Sequence, residues 1–502
     1  MNSKKKAFLN LIYSAIGQIL TIAIGLVIPR LFIVGFGSAI NGLINSVNQF
    51  LVYLSLFEAG VGAATLQALY KPVALDDKED INSILAATDR YYKKTGLFYL
   101  IGLIIFSIAY SVFVESELGA ASVFLLVLFS GLPNVILFYF QGKYYLLLRA
   151  EGKQYIQTNL ITIITVATGL AKIMLLYLGL PVLAIIFVGM LISLIQALYI
   201  MVYIRRRYKW INLRCVANTN ALSQKNFALV HQLSFLIFNN TDVLILTFFC
   251  DLKIVSVYSI YKMITSHIEK VLSIFNNSVD FALGQQFQTD LIGYKKKIDV
   301  FESYYSIFMY SAFSVALYLF IPFMKLYTDG ISDINYVDRN IAVLFVINSI
   351  LSQARVPMLN TINYAGHFKL TMPQSIVESI INLTVSLVGV HFLGIYGVLL
   401  GTAGALLYRT NDVIIYTNKK ILQRSPLKTY LIHIINTVIL LSLQCVYSVF
   451  FTAIHNYFVF AIYGCIMVLI AISVFLTVHI IIFKDVREVV INLILLKFLR
   501  RR

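Results

Sequence analysis

The chain has 502 residues, of which 59% are apolar and 13% charged, with a mean hydropathy of +0.83 and a net charge of +17. A water-soluble domain averages about 25% charged residues, so this composition excludes one. The apolar residues come in runs of about 20, the length that crosses ~30 Å of hydrocarbon as helix, which excludes a single large globular core as well.

In chain order the expected spans are 8–34, 43–68, 94–115, 120–147, 157–179, 181–204, 228–250, 254–283, 302–328, 340–363, 373–393, 395–417, 430–453 and 457–483. The first run is too long for a cleavable signal peptide and lacks a small-residue exit. Fourteen spans leave 33 of the 40 basic residues on one side, from Lys4–Lys6 through Arg205–Arg207 and Lys295–Lys297 to Arg500–Arg502. The opposite loops keep only Lys253 and Arg339 among acidic and neutral residues. By the positive-inside rule both termini are then cytoplasmic. The charge is thus a topology signal and a grip on anionic membrane lipids. It is spread over every inner turn and forms no patch for a nucleic acid. The stretch 484–502 alternates basic and apolar residues and is expected to lie in the membrane interface. Four cysteines without close spacing imply neither a metal site nor a disulfide framework.

Several spans carry polar stripes. The first has Asn10, Ser14, Gln18 and Thr21, with Arg30 beside Pro29; the second has Asn41, Asn45, Asn48, Ser55 and Glu58. The fifth has Thr158, Thr162, Thr165, Thr168 and Lys172. The seventh holds Asp242 in the run Asn239-Asn240-Thr241-Asp242. The eighth is the most regular: Lys262, Ser266, Glu269, Ser273, Asn276 and Asp280 fall at steps of three and four, one helical face, with Lys270 beside it. Arg355 stands near an end of the tenth beside Pro357, and the eleventh has Gln374, Glu378, Asn382 and Ser386.

Such groups line a cavity or glue helices together. Arg30 and Arg355 can equally snorkel, as can Lys172, and Lys262 with Glu269 can be a structural ion pair. Arg409 and Asp412, at i,i+3, read as a structural pair. Asp242 and Glu378, acidic and central in their spans, are the hardest to read as structural. No catalytic residue or enzyme is expected. There is no Gly-rich phosphate loop, the seven histidines are scattered, and no outer loop is long enough for glycosyl chemistry.

The halves repeat at a separation near 214 residues. Tyr91-Tyr92 corresponds to Tyr304-Tyr305, Gly152 to Gly366, Gly179 to Gly394, and Arg205-Arg206 to Lys419-Lys420. Six spans per unit make a parallel repeat about an axis along the membrane normal, an architecture that suits alternating access by rocking. The expected organisation is a six-helix lobe at 1–210, a second at 211–420, two further helices at 421–483 and the tail. The fold class is an all-α membrane protein of two six-helix lobes plus two helices.

Three groups of residues carry a family likeness: Pro29-Arg30-Leu31-Phe32, Asn41-Gly42-Leu43 and Tyr53-Leu54-Ser55-Leu56-Phe57-Glu58-Ala59-Gly60; Asn240 to Ile245 and Val257 to Tyr261; and Asn382 with Leu393-Gly394-Ile395-Tyr396-Gly397-Val398. In that order and spacing, over residues 5–483, the chain resembles the Wzx-type polysaccharide flippases, in the superfamily that also holds lipid II flippases and multidrug–cation antiporters. The resemblance implies translocation of an undecaprenyl-diphosphate-linked oligosaccharide across the bacterial plasma membrane. The pathway's polymerase and glycosyltransferases are implied as partners. No cofactor is implied beyond a driving Na⁺ or H⁺. Arg30, Lys172, Lys262, Glu269, Lys270 and Arg355 are then the substrate-binding candidates, and Asp242, Glu378 and Asn382 the ion-coupling ones. A multidrug antiporter of the same superfamily is the alternative, and a membrane glycan polymerase the third.

Single cysteines at Ser116, Ser332 and Asn456 are expected to react with an impermeant thiol reagent in intact cells, and ones at Asn82, Asn218 and Gln423 to be protected. One reversed loop would break the fourteen-span topology.

Overall fold

A computed structural model describes residues 3–55, 61–218, 240–451, 454–489 and 491, with backbone alone for 3–16 and a few others. Outside it lie Glu58, Asn239, His231 and Lys225, the first half of the seventh span, the tail from 492, and the side chains of Asn10, Ser14 and Gln18.

The chain is an all-α membrane protein. Nine of the described helical stretches are long and apolar enough to cross a bilayer, and shorter apolar helices accompany them. The first six spans are α1 (Ser3–Phe36), α2 (Ser38–Leu54) with α3 (Val61–Ala74), α4 (Lys78–Phe113), α5 (Ala120–Ile136) with α6 (Gly142–Ala150), α7 (Gln154–Tyr177) and α8 (Val182–Arg207). The next six are α9 (Asn240–Phe249), α10 (Leu252–Thr289), α11 (Leu291–Tyr327), α12 (Arg339–Ala354) with α13 (Val356–Tyr364), α14 (Phe368–Leu393) and α15 (Ile395–Tyr416). The last two are α16 (Leu427–Phe450) and α17 (Tyr457–Ile482).

Most helix ends fall within a few residues of the apolar runs, but α4 and α11 start more than ten residues early. The cause is capping. The Asp77 carboxylate accepts from the Asp80 amide at 3.0 Å, and Asp290 accepts from Gly293 at 2.9 Å. Each satisfies an amide that a helix start leaves without a partner, so the helix nucleates well before the hydrocarbon begins.

The repeat is exact in the helix breaks. α6 and α13 are both nine residues long and start 214 apart, at Gly142 and Val356. A π-helical turn at Leu137–Gln141 precedes the first and Arg355 interrupts the helix before the second. Gly152 and Gly366 both turn the chain with positive φ, at 69° and 68°, where a side chain would be strained.

The chain falls into two compact units, Met1–Ser259 and Ile260–Arg502, with the boundary inside α10. In the first, α1 packs on α7, where Gly17 faces Thr162 and Gly169 faces Ile24. Leu43, Val47, Leu51, Tyr99, Leu103 and Ile185 form its main core. In the second, α14 and α15 make the most intimate pair. A Cβ on Gly389 would stand 2.9 Å from the Gly397 backbone, and one on Gly397 would overlap the Gly389 carbonyl. Lipid tails are as apolar as leucine, so helices in a bilayer associate through close backbone approach of this kind.

Gly397→Ala should therefore destabilise the protein by about 1–3 kcal/mol, the usual cost of overpacking. Gly404→Ala, on the same helix with nothing within 4 Å of the new methyl, should not. Thermal unfolding followed by size-exclusion fluorescence compares the two. Equal midpoints would remove the close-packing account of this helix pair.

Candidate functional site

In the first unit the polar residues of α2 meet α9 and the start of α10 along one seam. Asn41 donates to Ser256 Oγ at 2.7 Å, and Thr247 donates to Ser46 Oγ at 2.8 Å. Gln49 hydrogen-bonds Asn240, and Tyr53 lies 2.9 Å from the Thr241 hydroxyl. A Cβ on Gly42 would collide with the Leu252 carbonyl, so the backbones nearly touch there. Asp242 is at this seam: its carboxylate is 4% exposed and accepts from Tyr258 at 2.7 Å. Half-buried Arg30 on α1 and half-buried Lys172 on α7 lie on neighbouring helices. The Lys172 stem passes over Gly189 of α8.

In the second unit Glu378 stands between two guanidiniums. Arg355, at the break between α12 and α13, reaches its Oε1 at 2.6 Å, and Arg409 of α15 approaches Oε2 at 3.7 Å. Arg409 also bonds Asp412, as its i,i+3 spacing suggests, but the spacing says nothing of Glu378. Two cations and two anions make this buried group neutral, which a low-dielectric site requires. One turn along α14, Asn382 is fully buried and donates to Thr402 at 3.0 Å, while its own oxygen has no hydrogen-bond partner among the described residues.

The stripe on α10 divides. Asn276 accepts from Asn360 at 2.7 Å and Asp280 from Tyr364 at 2.6 Å, so its far end is a seam with α13. Glu269 lies near Ser349 of α12 and within electrostatic reach of Lys262. Lys262 is half-buried and Lys270 exposed.

Further networks escaped the sequence reading, among them Lys93 and Lys143 on Asp89. Arg424 and Lys428 both pair with Asp299, Arg424 also with Glu302 at 3.3 Å, and Lys428 with Asp485. They tie the start of α16 and the residues after α17 to α11. In the first unit Lys153 bonds Glu151 at 2.6 Å and the Tyr208 hydroxyl at 2.9 Å. Burial and the carboxylate push that phenol up to about 12. The sequence signal, present but unused, was the close spacing of Asp299 with Glu302 and of Arg424 with Lys428.

No protein-family profile matches this chain, and no curated protein matches it in sequence. Solved structures do match in fold. The lipid II flippase MurJ in an inward closed conformation aligns over 93% of this chain and 98% of its own, at TM-score 0.67 and 13% identity. An inward-facing multidrug resistance transporter of the MATE family, in the MOP superfamily, covers 80% and 94% at TM-score 0.59 and 15% identity. The Vibrio cholerae MATE transporter VcmN, in a bent form, covers 82% and 97% at TM-score 0.54 and 13% identity. The chain has the fold that these transporters share, over nearly their whole lengths.

The cluster around Glu378 predicts an ordering of stabilities. Glu378→Ala leaves Arg355 without its carboxylate and should cost about 3–5 kcal/mol. Replacing Arg355 and Glu378 together by methionine should recover most of that. Thermal midpoints in detergent measure both. A Glu378→Ala protein as stable as the parent would show that the pair carries no stability.

Proposed function

We propose that the chain is a flippase for undecaprenyl-diphosphate-linked oligosaccharide repeat units in the bacterial plasma membrane, working by alternating access driven by a Na⁺ or H⁺ gradient. The observation that carries this reading is the set of cations on the embedded helices. Arg355 and Arg409 are matched by Glu378 and Asp412. Arg30, Lys172, Lys262 and Lys270 stand on further spans, which also carry Glu58, Asp242, Glu269 and Asp280. A diphosphate is a lipid-borne group that embedded cations suit, through charge-assisted hydrogen bonds in low dielectric. The polyprenyl tail need never leave the bilayer. A fold shared with a lipid II flippase supports the same substrate class.

Two sequence repeats that rock against each other, as a parallel repeat suits, need contacts that part. The seam between α2, from the first repeat, and α9 with the start of α10, from the second, has that character: it is made of neutral hydrogen bonds. Asp242 lies on it. A proton or cation that neutralises this carboxylate changes what the seam holds together, which is how a gradient acts on the conformational equilibrium. Glu378 is paired with arginine, Asn382 bonds Thr402 and Asp242 accepts from Tyr258; the three together are the coupling candidates, and Asp242 is the one on the seam.

The second reading is a cation-coupled multidrug antiporter, supported by the MATE transporters of the same fold. Proteoliposomes separate them. The flippase reading expects translocation of lipid-linked oligosaccharide that accelerates under an imposed Na⁺ or pH gradient, and no extrusion of cationic dyes. Asp242→Asn should translocate without responding to either gradient. A Ser46→Cys/Thr247→Cys pair, in a chain whose four native cysteines are serine, should arrest translocation when oxidised and release it when reduced. Dye extrusion without glycan movement would replace this reading by the second.

A further inference from the structure

A cleft of about 560 Å³ opens between α11, α12 and α16 of the second unit, at the end that carries the loop 328–338. Its volume is that of a small-molecule site. Leu317, Ile321, Val343 and Leu441 give it aliphatic walls. Its polar members have mostly spent their donors inside the protein. The Tyr318 hydroxyl donates to the Phe451 carbonyl at 2.6 Å, Gln444 to the Ser314 carbonyl at 2.9 Å, and Ser448 to the Cys445 carbonyl at 2.8 Å.

Arg339 differs. It is exposed at the mouth of the cleft, and among the described residues it has neither an ion pair nor a hydrogen bond from its side chain. The acid next to it does not serve it: the Asp338 carboxylate caps Asn340 and Ile341 and is bonded by Tyr396. Five guanidinium donors are therefore available at the cleft's edge. Val343 and Leu441 lie deeper, about 6 Å and 10 Å from the edge at 1.5 Å per residue from Arg339 and Ser448.

We propose that this cleft holds one anionic glycerophospholipid, its phosphate on Arg339 and an acyl chain between the aliphatic walls. A cation at the rim with apolar walls beneath it matches an amphiphile with an anionic head, and basic pockets between transmembrane helices recognise phospholipid head groups in this way. Bulk phospholipid is present at far higher concentration than any lipid-linked glycan, and the assignment is independent of what the chain transports. The bound lipid wedges α16, one of the two helices outside the repeat, against α11 and α12.

Native mass spectrometry of the purified full chain tests it, with phosphatidylglycerol, phosphatidylcholine, inorganic phosphate and a polyprenyl diphosphate as separate probes. The parent should retain one phosphatidylglycerol in preference to the other three. Arg339→Gln, at an exposed position that leaves the core intact, should weaken that retention about tenfold, the loss of a hydrogen bond to a charged group. Val343→Trp, which fills the cleft, should abolish it, and Lys253→Gln, at another helix start, should leave it unchanged. Equal retention of phosphatidylcholine, a preference for the polyprenyl diphosphate or for free phosphate, or parental retention by both Arg339→Gln and Val343→Trp would each overturn the proposal.

Discussion

In hydrocarbon a polar group has no water to turn to, so every donor, acceptor and charge must find its partner inside the protein. That requirement selects helices for the backbone. It then decides what the helices can carry. Where α12 breaks at Arg355, the guanidinium at the break is bonded by Glu378, and Glu378 in turn is shared with Arg409. Removing any one of these would strand another, which is why they form a group of four and not a pair. The same pressure acts at the ends of the bundle, where Asp299 and Glu302 hold Arg424 and Lys428.

The repeat propagates that constraint through the chain. Nine-residue helices follow a break in both the fourth and tenth spans, 214 residues apart, and glycines with positive φ close both units two residues later. The chemistry at the two breaks differs. A π-helical turn with Gln141 occupies the first, and Arg355 with its carboxylate the second. Backbone geometry is thus kept between the halves, and a buried ion pair stands beside each break, Lys143 with Asp89 in the first and Arg355 with Glu378 in the second.

Much of this was legible in the sequence because it is local. Apolar run length, Gly152 and Gly366, and the step of three and four along α10 depend on residues close in the chain. The early starts of α4 and α11 were missed although Asp77 and Asp290 are ordinary caps, because run length counts apolar residues and a cap acts outside them. The candidate site was less legible, since its meaning lies in partners far away. Glu378 looked like a bare carboxylate until α13 and α15 brought two arginines to it. Asn276 and Asp280 read equally as cavity lining or as helix glue until α13 supplied Asn360 and Tyr364. Periodicity reports that residues share a face and is silent on what the face meets.

Energies separate what can move from what cannot. Neutral side-chain hydrogen bonds between transmembrane helices contribute about 0.6 kcal/mol each. The four that join α2 to α9 and the start of α10 therefore sum to about 2–3 kcal/mol, a difference that leaves the parted state populated at about a per cent. A cation or proton on Asp242 needs to contribute only a similar amount to shift that balance. Separating Arg355 from Glu378 is of another order, about 3–5 kcal/mol for one stranded charge. It follows that the neutral seam is the part of the fold suited to open and close in each cycle, whereas the charged group around Glu378 holds α13, α14 and α15 as one piece while it does so.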